Sequence, residues 1–118
     1  MIKAAKLSMF AAICFLCIAG AADQETGRTI EIHARRYAFS PPDITVKKGE
    51  TVHLKLVSDD VTHSLLIKDL GINQTISKGH PADVNLTPKL AGDFPGQCGH
   101  FCGSGHGQMK FEVHVTGN

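Results

Sequence analysis

From Thr29 to Phe39 the chain alternates, with Ile30, Ile32 and Ala34 in one phase and Glu31, His33 and Arg35 in the other. A period of two marks a strand with one buried face. Ser40-Pro41-Pro42-Asp43 interrupts the pattern, Ile44-Thr45-Val46 resumes it, and Lys47-Lys48-Gly49-Glu50 supplies a turn with glycine where positive φ is wanted. Between Thr51 and Ser58 the alternation returns, Val52, Leu54 and Leu56 facing one way and Thr51, His53 and Lys55 the other. His63 to Ile67 and Ala82 to Leu86 are short apolar runs, and the stretch from Met109 closes with Phe111, Val113 and Val115 in one phase. Beyond the N-terminal segment nothing shows a helical period with caps. About seven short strands at this spacing predict an all-β Greek-key sandwich.

The N-terminus follows different rules. Lys3 and Lys6 precede an uncharged, mostly apolar run over residues 7–22, and Ala19-Gly20-Ala21 offers a small-residue cleavage pattern before Asp23. This is the layout of a secretory signal peptide, and the run is shorter than the roughly 20 residues a spanning helix needs. Residues 1–22 are therefore expected to be a signal peptide and residues 23–118 a single domain in the periplasm or outside the cell. Left uncleaved, the segment would instead anchor that domain to the membrane. Cys14 and Cys17 follow Ile13 and Leu16 rather than the small residue a lipoprotein signal requires.

Composition narrows the function. A chain of 118 residues supports one modest core. A formal net charge of +1 with no basic cluster excludes an ordinary nucleic-acid binder. The absence of Trp removes the usual stacking platform for bases or sugars. What stands out is twelve Gly, seven His and four Cys, a balance that points to a metal or redox site.

The chemistry concentrates in Gln97-Cys98-Gly99-His100-Phe101-Cys102-Gly103-Ser104-Gly105-His106-Gly107-Gln108-Met109. Thiolate, thioether and imidazole are a soft donor set, suited to copper rather than magnesium, calcium or manganese. The glycines let such a loop fold tightly around an ion. Each residue also has a plainer reading. In an oxidising compartment Cys98 and Cys102 would ordinarily pair as a disulfide, Met109 would fill the core, and His106 would be a loop residue. Zinc is disfavoured, because its structural sites have no use for methionine. His33, His53 and His114 lie in the polar phase of strands and His80 in a turn, so all four read as surface residues.

Cys-x3-Cys-x3-His-x2-Met resembles the ligand loop of the dinuclear copper A (CuA) centre, found in subunit II of haem-copper oxidases such as cytochrome c oxidase and in the C-terminal domain of nitrous oxide reductase. Asp60-Val61-Thr62-His63-Ser64 is similar to the upstream histidine element of that family, and Tyr37 to Gly49 to the opening strands of cupredoxins. The resemblance covers the chain from about Ile30 to Val115. It implies a cupredoxin-like sandwich in which Cys98 and Cys102 bridge two copper ions. His63 and Met109 would complete one ion, and His106 with the main-chain carbonyl of His100 the other. Oxidases usually carry Glu at the His100 position, so a link made through that side chain would be lost. With no coordination position left open, the implied role is an electron carrier rather than an enzyme. Its redox partner would be a c-type cytochrome or a terminal oxidase, of which the chain could itself be a subunit. A mononuclear blue-copper protein built on His63, Cys102, His106 and Met109, which leaves Cys98 without a role, is one alternative. A periplasmic copper chaperone or storage cupredoxin is the other.

Overall fold

The computed structural model describes residues 27–117, so the signal segment expected over residues 1–22 lies outside the described part. Nine strands follow in order: β1 Thr29–Arg35, β2 Ala38–Ser40, β3 Asp43–Lys47, β4 Val52–Ser58, β5 His63–Ile67, β6 Ile72–Ile76, β7 Ala82–Leu86, β8 Gly92–Gln97 and β9 Lys110–Thr116. They form two sheets, β2-β1-β4-β7 and β3-β9-β8-β5-β6. The expected all-β sandwich is what the chain adopts, and no helix among the described residues is long and apolar enough to cross a membrane.

Alternation decides which residues face inward. Ile32 and Ala34 of β1, Leu54 and Leu56 of β4, Leu65 and Ile67 of β5 and Val113 of β9 are fully buried between the sheets. Burying a side chain of the Val, Leu or Ile kind contributes about 1.5–3 kcal/mol, and this shared layer makes the two sheets one core. Phe39 and Phe111 meet edge to face within it, ring centroids 5.7 Å apart. Two pairings are parallel, β1 with β4 and β3 with β9, and join segments distant in sequence.

Three details differ from the sequence pattern. The run from Thr29 to Phe39 is two strands, because Arg36 and Tyr37 form a tight turn and the chain doubles back with Arg35 opposite Ala38. No glycine, proline, asparagine or aspartate announces that turn; the Asp60 carboxylate holds it by accepting the Arg36 main-chain N–H at 2.7 Å. Strand β6, Ile-Asn-Gln-Thr-Ile, buries only its two ends. Strand β8 carries Gly92, Pro95 and Gly96, all poor strand formers. It is tolerated because β8 pairs fully with β9 but meets β5 only where Leu66 faces Gln97.

Candidate metal centre

Two connections meet at one end of the sandwich. The β4–β5 loop delivers His63 as the first residue of β5, and the β8–β9 loop carries Cys98 through Met109. The neck of the longer loop is closed by the Cys98 N–H, which donates to the Met109 carbonyl at 3.1 Å. Inside it a single 3-10 turn, His106–Gln108, is held by His106 N–H on the Gly103 carbonyl at 3.2 Å and Gln108 N–H on the Gly105 carbonyl at 2.9 Å. Ser64, next to His63, accepts the Gly99 N–H at 2.9 Å and so ties the two loops together.

Tyr37 packs across the outside of this loop. A Cβ at Gly105 would run into the Tyr37 ring, and one at Gly103 into its hydroxyl. Gly103 also has φ of 143°, a backbone conformation side chains rarely adopt. These glycines are therefore required by a close approach of backbone to a neighbouring ring.

The loops bring donors to one point. One ligand atom each of His63, Cys98 and Cys102 lies within 4.8 Å of the others, and all three residues are buried. His63 Nδ1 is 3.9 Å from Cys98 Sγ. Cys102 Sγ stands 3.8 Å from His106 Nδ1 and 3.5 Å from Met109 Sδ. The Cys98 thiol donates to the His100 carbonyl at 3.1 Å, while the His100 side chain points to solvent. Both cysteines are free, so the disulfide alternative is not what this structure holds. Phe101 is 74% exposed, its ring centroid 5.7 Å from that of the partly exposed His106.

The electrostatics fit a cation. Burial, reinforced by the adjacent Cys98, pushes the Cys102 thiol up to about 11. The Cys102 thiol therefore stays protonated until a metal replaces its proton. Burial also works against the charge on Asp60, but hydrogen bonds from the Arg36 N–H, His63 and the Val61 N–H outweigh it and hold the carboxyl at about 2. His63 Nε2 lies 2.6 Å from that carboxylate, and Nδ1 faces the Cys98 sulfur on the other side. Three sulfur donors with imidazole and a carbonyl suit copper, and offer nothing to a hard cation.

The remaining histidines are arranged differently. His114 contacts Asp93 through Nδ1 at 2.7 Å and Asp43 through Nε2 at 3.1 Å. His33 contacts Asp59 and Glu31 in the same two-sided way, at 2.7 and 2.9 Å. His53 bonds Asn85, and His80 is an exposed turn residue. Asp93, Glu112 and His114 form a second group close enough for a metal, but Asp93 is exposed, the other two are only half-buried, and the imidazole is already shared between carboxylates. The sequence placed Asp60 and Ser64 in the element around His63 and Tyr37 in an opening strand but gave none of them a role, and it gave no sign of Arg36.

Among known proteins, the profile of the cupredoxin-like domain matches residues 7–109. A probable cytochrome c oxidase subunit 2 of Streptomyces avermitilis is 36% identical over 75 residues, 64% of this chain and 24% of that protein. Cytochrome c oxidase subunit 2 of Thermus thermophilus is 30% identical over 81 residues, 69% of this chain and 60% of that protein. The chain thus spans less than two thirds of either relative. The fold superposes on the periplasmic domain of subunit II of cytochrome oxidase (CoxB) from Bradyrhizobium japonicum with a TM-score of 0.70 at 16% identity, covering 77% of this chain and 85% of that one.

Proposed function

The chain belongs to the cupredoxin-like domain family, and from that premise we propose that it is a copper-binding one-electron carrier with a dinuclear copper A-type centre. The observation that carries this reading is the convergence of two free, buried cysteines with His63, His106 and Met109 at one end of a rigid sandwich. Cys98 and Cys102 would bridge the ions, with His63 and Met109 on one side and His106 and the His100 carbonyl on the other. Bound as a pair, copper supplies a one-electron couple spread over both nuclei.

The protein's part is to hold donors still and keep water out. His63 and Met109 are fully buried, and Cys98 is 1% exposed. The loop neck and the Ser64–Gly99 bond fix the sulfurs against β5 and β9, which limits rearrangement on gain or loss of an electron. Because every coordination position would be filled from the protein, no site remains for a substrate. Function is then electron transfer to or from a partner, as the likeness to oxidase subunit 2 suggests. A c-type cytochrome or a terminal oxidase is the partner proposed, and export through residues 1–22 the route by which residues 23–118 reach it.

Copper stoichiometry together with an electron paramagnetic resonance spectrum tests the proposal. Two coppers per chain, with more hyperfine lines than one nucleus can give, is the expected result. One copper with a simple spectrum would replace the proposal by a mononuclear blue-copper site, and no redox-active copper by a delivery or storage role.

A further inference from the structure

His63 has no solvent exposure, so both of its ring nitrogens must be satisfied by neighbours. A neutral imidazole carries one donor and one acceptor, and the groups around it decide which nitrogen is which. Here Nε2 lies 2.6 Å from Asp60 Oδ1, an oxygen that can only accept while the carboxyl is ionised. The Asp60 carboxylate is itself fixed. Oδ1 also accepts the Val61 N–H at 2.6 Å, and Oδ2 accepts the Arg36 N–H at 2.7 Å. Arg36 then reaches the second ligand loop, where its Nε donates to the Cys102 carbonyl at 2.8 Å. One short chain of bonds therefore joins the β1–β2 turn, the loop before His63 and the loop of the cysteines.

Building on the copper reading above, we infer that Asp60, clamped by Arg36, is a positioning residue that keeps the hydrogen of His63 on Nε2 and presents the Nδ1 lone pair to the metal beside Cys98. It touches no metal and transfers no electron. Its effect is to make the ligand ready before copper arrives, as carboxylates behind metal-binding histidines do. An amide at this position cannot do the same. All three groups facing the carboxylate are donors, so the NH2 of an asparagine would oppose either the Arg36 N–H or the Val61 and His63 pair.

The first test needs no copper and no variant. Nitrogen-15 NMR of the His63 ring in the metal-free protein should show the hydrogen on Nε2; finding it on Nδ1 overturns the inference even if copper binds. In the loaded protein, Asp60→Asn should bind copper about 10–100-fold more weakly in chelator competition. It should also change the hyperfine pattern, while Lys55→Ala changes neither. Unchanged affinity and spectrum in Asp60→Asn would overturn the inference and leave the copper reading intact. A wild-type protein that takes up no copper would overturn the copper reading, with the NMR result still deciding the tautomer. Should Asp60→Asn not fold, Arg36→Met, which keeps the main-chain N–H and removes the bond to Cys102, should weaken copper binding by less than tenfold but measurably; no change would sink the Arg36 half.

Discussion

His63 and His114 both lie on strands of the same sheet, both contact aspartate at hydrogen-bond distance, and they do different things. His114 sits on the outer face with carboxylates on both ring nitrogens, Asp93 and Asp43, and Glu112 close by. Such an imidazole is best satisfied as a cation, and it ties β9 to β8 and β3. His63 sits inside with a carboxylate on one nitrogen only, the other turned toward sulfur. A histidine held on one side is free to coordinate on the other. One held on both sides is a strut. The number of carboxylates around the ring, rather than the presence of one, separates the two roles.

The severest way to break this contrast is to remove the sulfur that His63 faces. Cys98→Ser should convert the proposed two-copper centre to a single-copper or empty site, read by metal analysis and electron paramagnetic resonance. Two coppers with unchanged spectra in that variant would defeat the assignment. Next in size is the histidine swap itself. His63→Ala should lower copper affinity by more than the roughly 10–100-fold expected of an outer partner, whereas His114→Ala should leave copper content untouched. Equal copper loss in both would erase the distinction.

A third change tests the frame around the ligands. Gly105→Ala drives a methyl into the Tyr37 ring and should cost about 1–3 kcal/mol in denaturant unfolding. Adding Tyr37→Ala should return part of that loss, and strict additivity of the two would mean the contact is not the cause.

The smallest effect concerns the struts. The His114 pKa is raised, first by the bond to Asp93 and then by that to Asp43; that of His33 is raised chiefly by Asp59. A pKa raised above its unfolded value of about 6.5 stabilises fully below that value, and the benefit fades as pH rises through the folded pKa. Because both side chains are partly exposed, 39% for His33 and 34% for His114, the effect is modest and screened by salt. Thermal midpoints of wild type and His114→Gln should differ at about pH 5 and converge by about pH 9. A gap that stays constant across that range would show that the ring acts by packing and not by charge.

Much of this was legible before any coordinates. Strands β1, β4 and β9 declare themselves because one face is buried and the period of two survives. The loop from Cys98 to Met109 is equally legible, since all its donors lie close in sequence and their spacing carries the chemistry. What escaped depends on contacts between distant segments. Pro95 and two glycines hide β8, whose strand character comes from pairing with β9 and not from its own residues. The turn at Arg36 has no turn residue and relies on Asp60, and the link from Arg36 to Cys102 joins positions 66 residues apart. Tyr37 is invisible as a loop partner until the sandwich places it over Gly103 and Gly105.

The parallel ladders carry a consequence for how the protein is made. Asp43 pairs with Glu112, and Thr29 with His53, so neither ladder can zip up from a local hairpin. Topologies dominated by such distant partners fold in milliseconds to seconds. Until β1 has found β4, the turn whose Arg36 and Tyr37 lie against the cysteine loop is not in place, and the two thiols are less covered for that whole interval. If the exported, copper-binding reading holds, the order of strands sets a race between burial and oxidation, and a newly made chain gains from reductant or copper at the moment it folds.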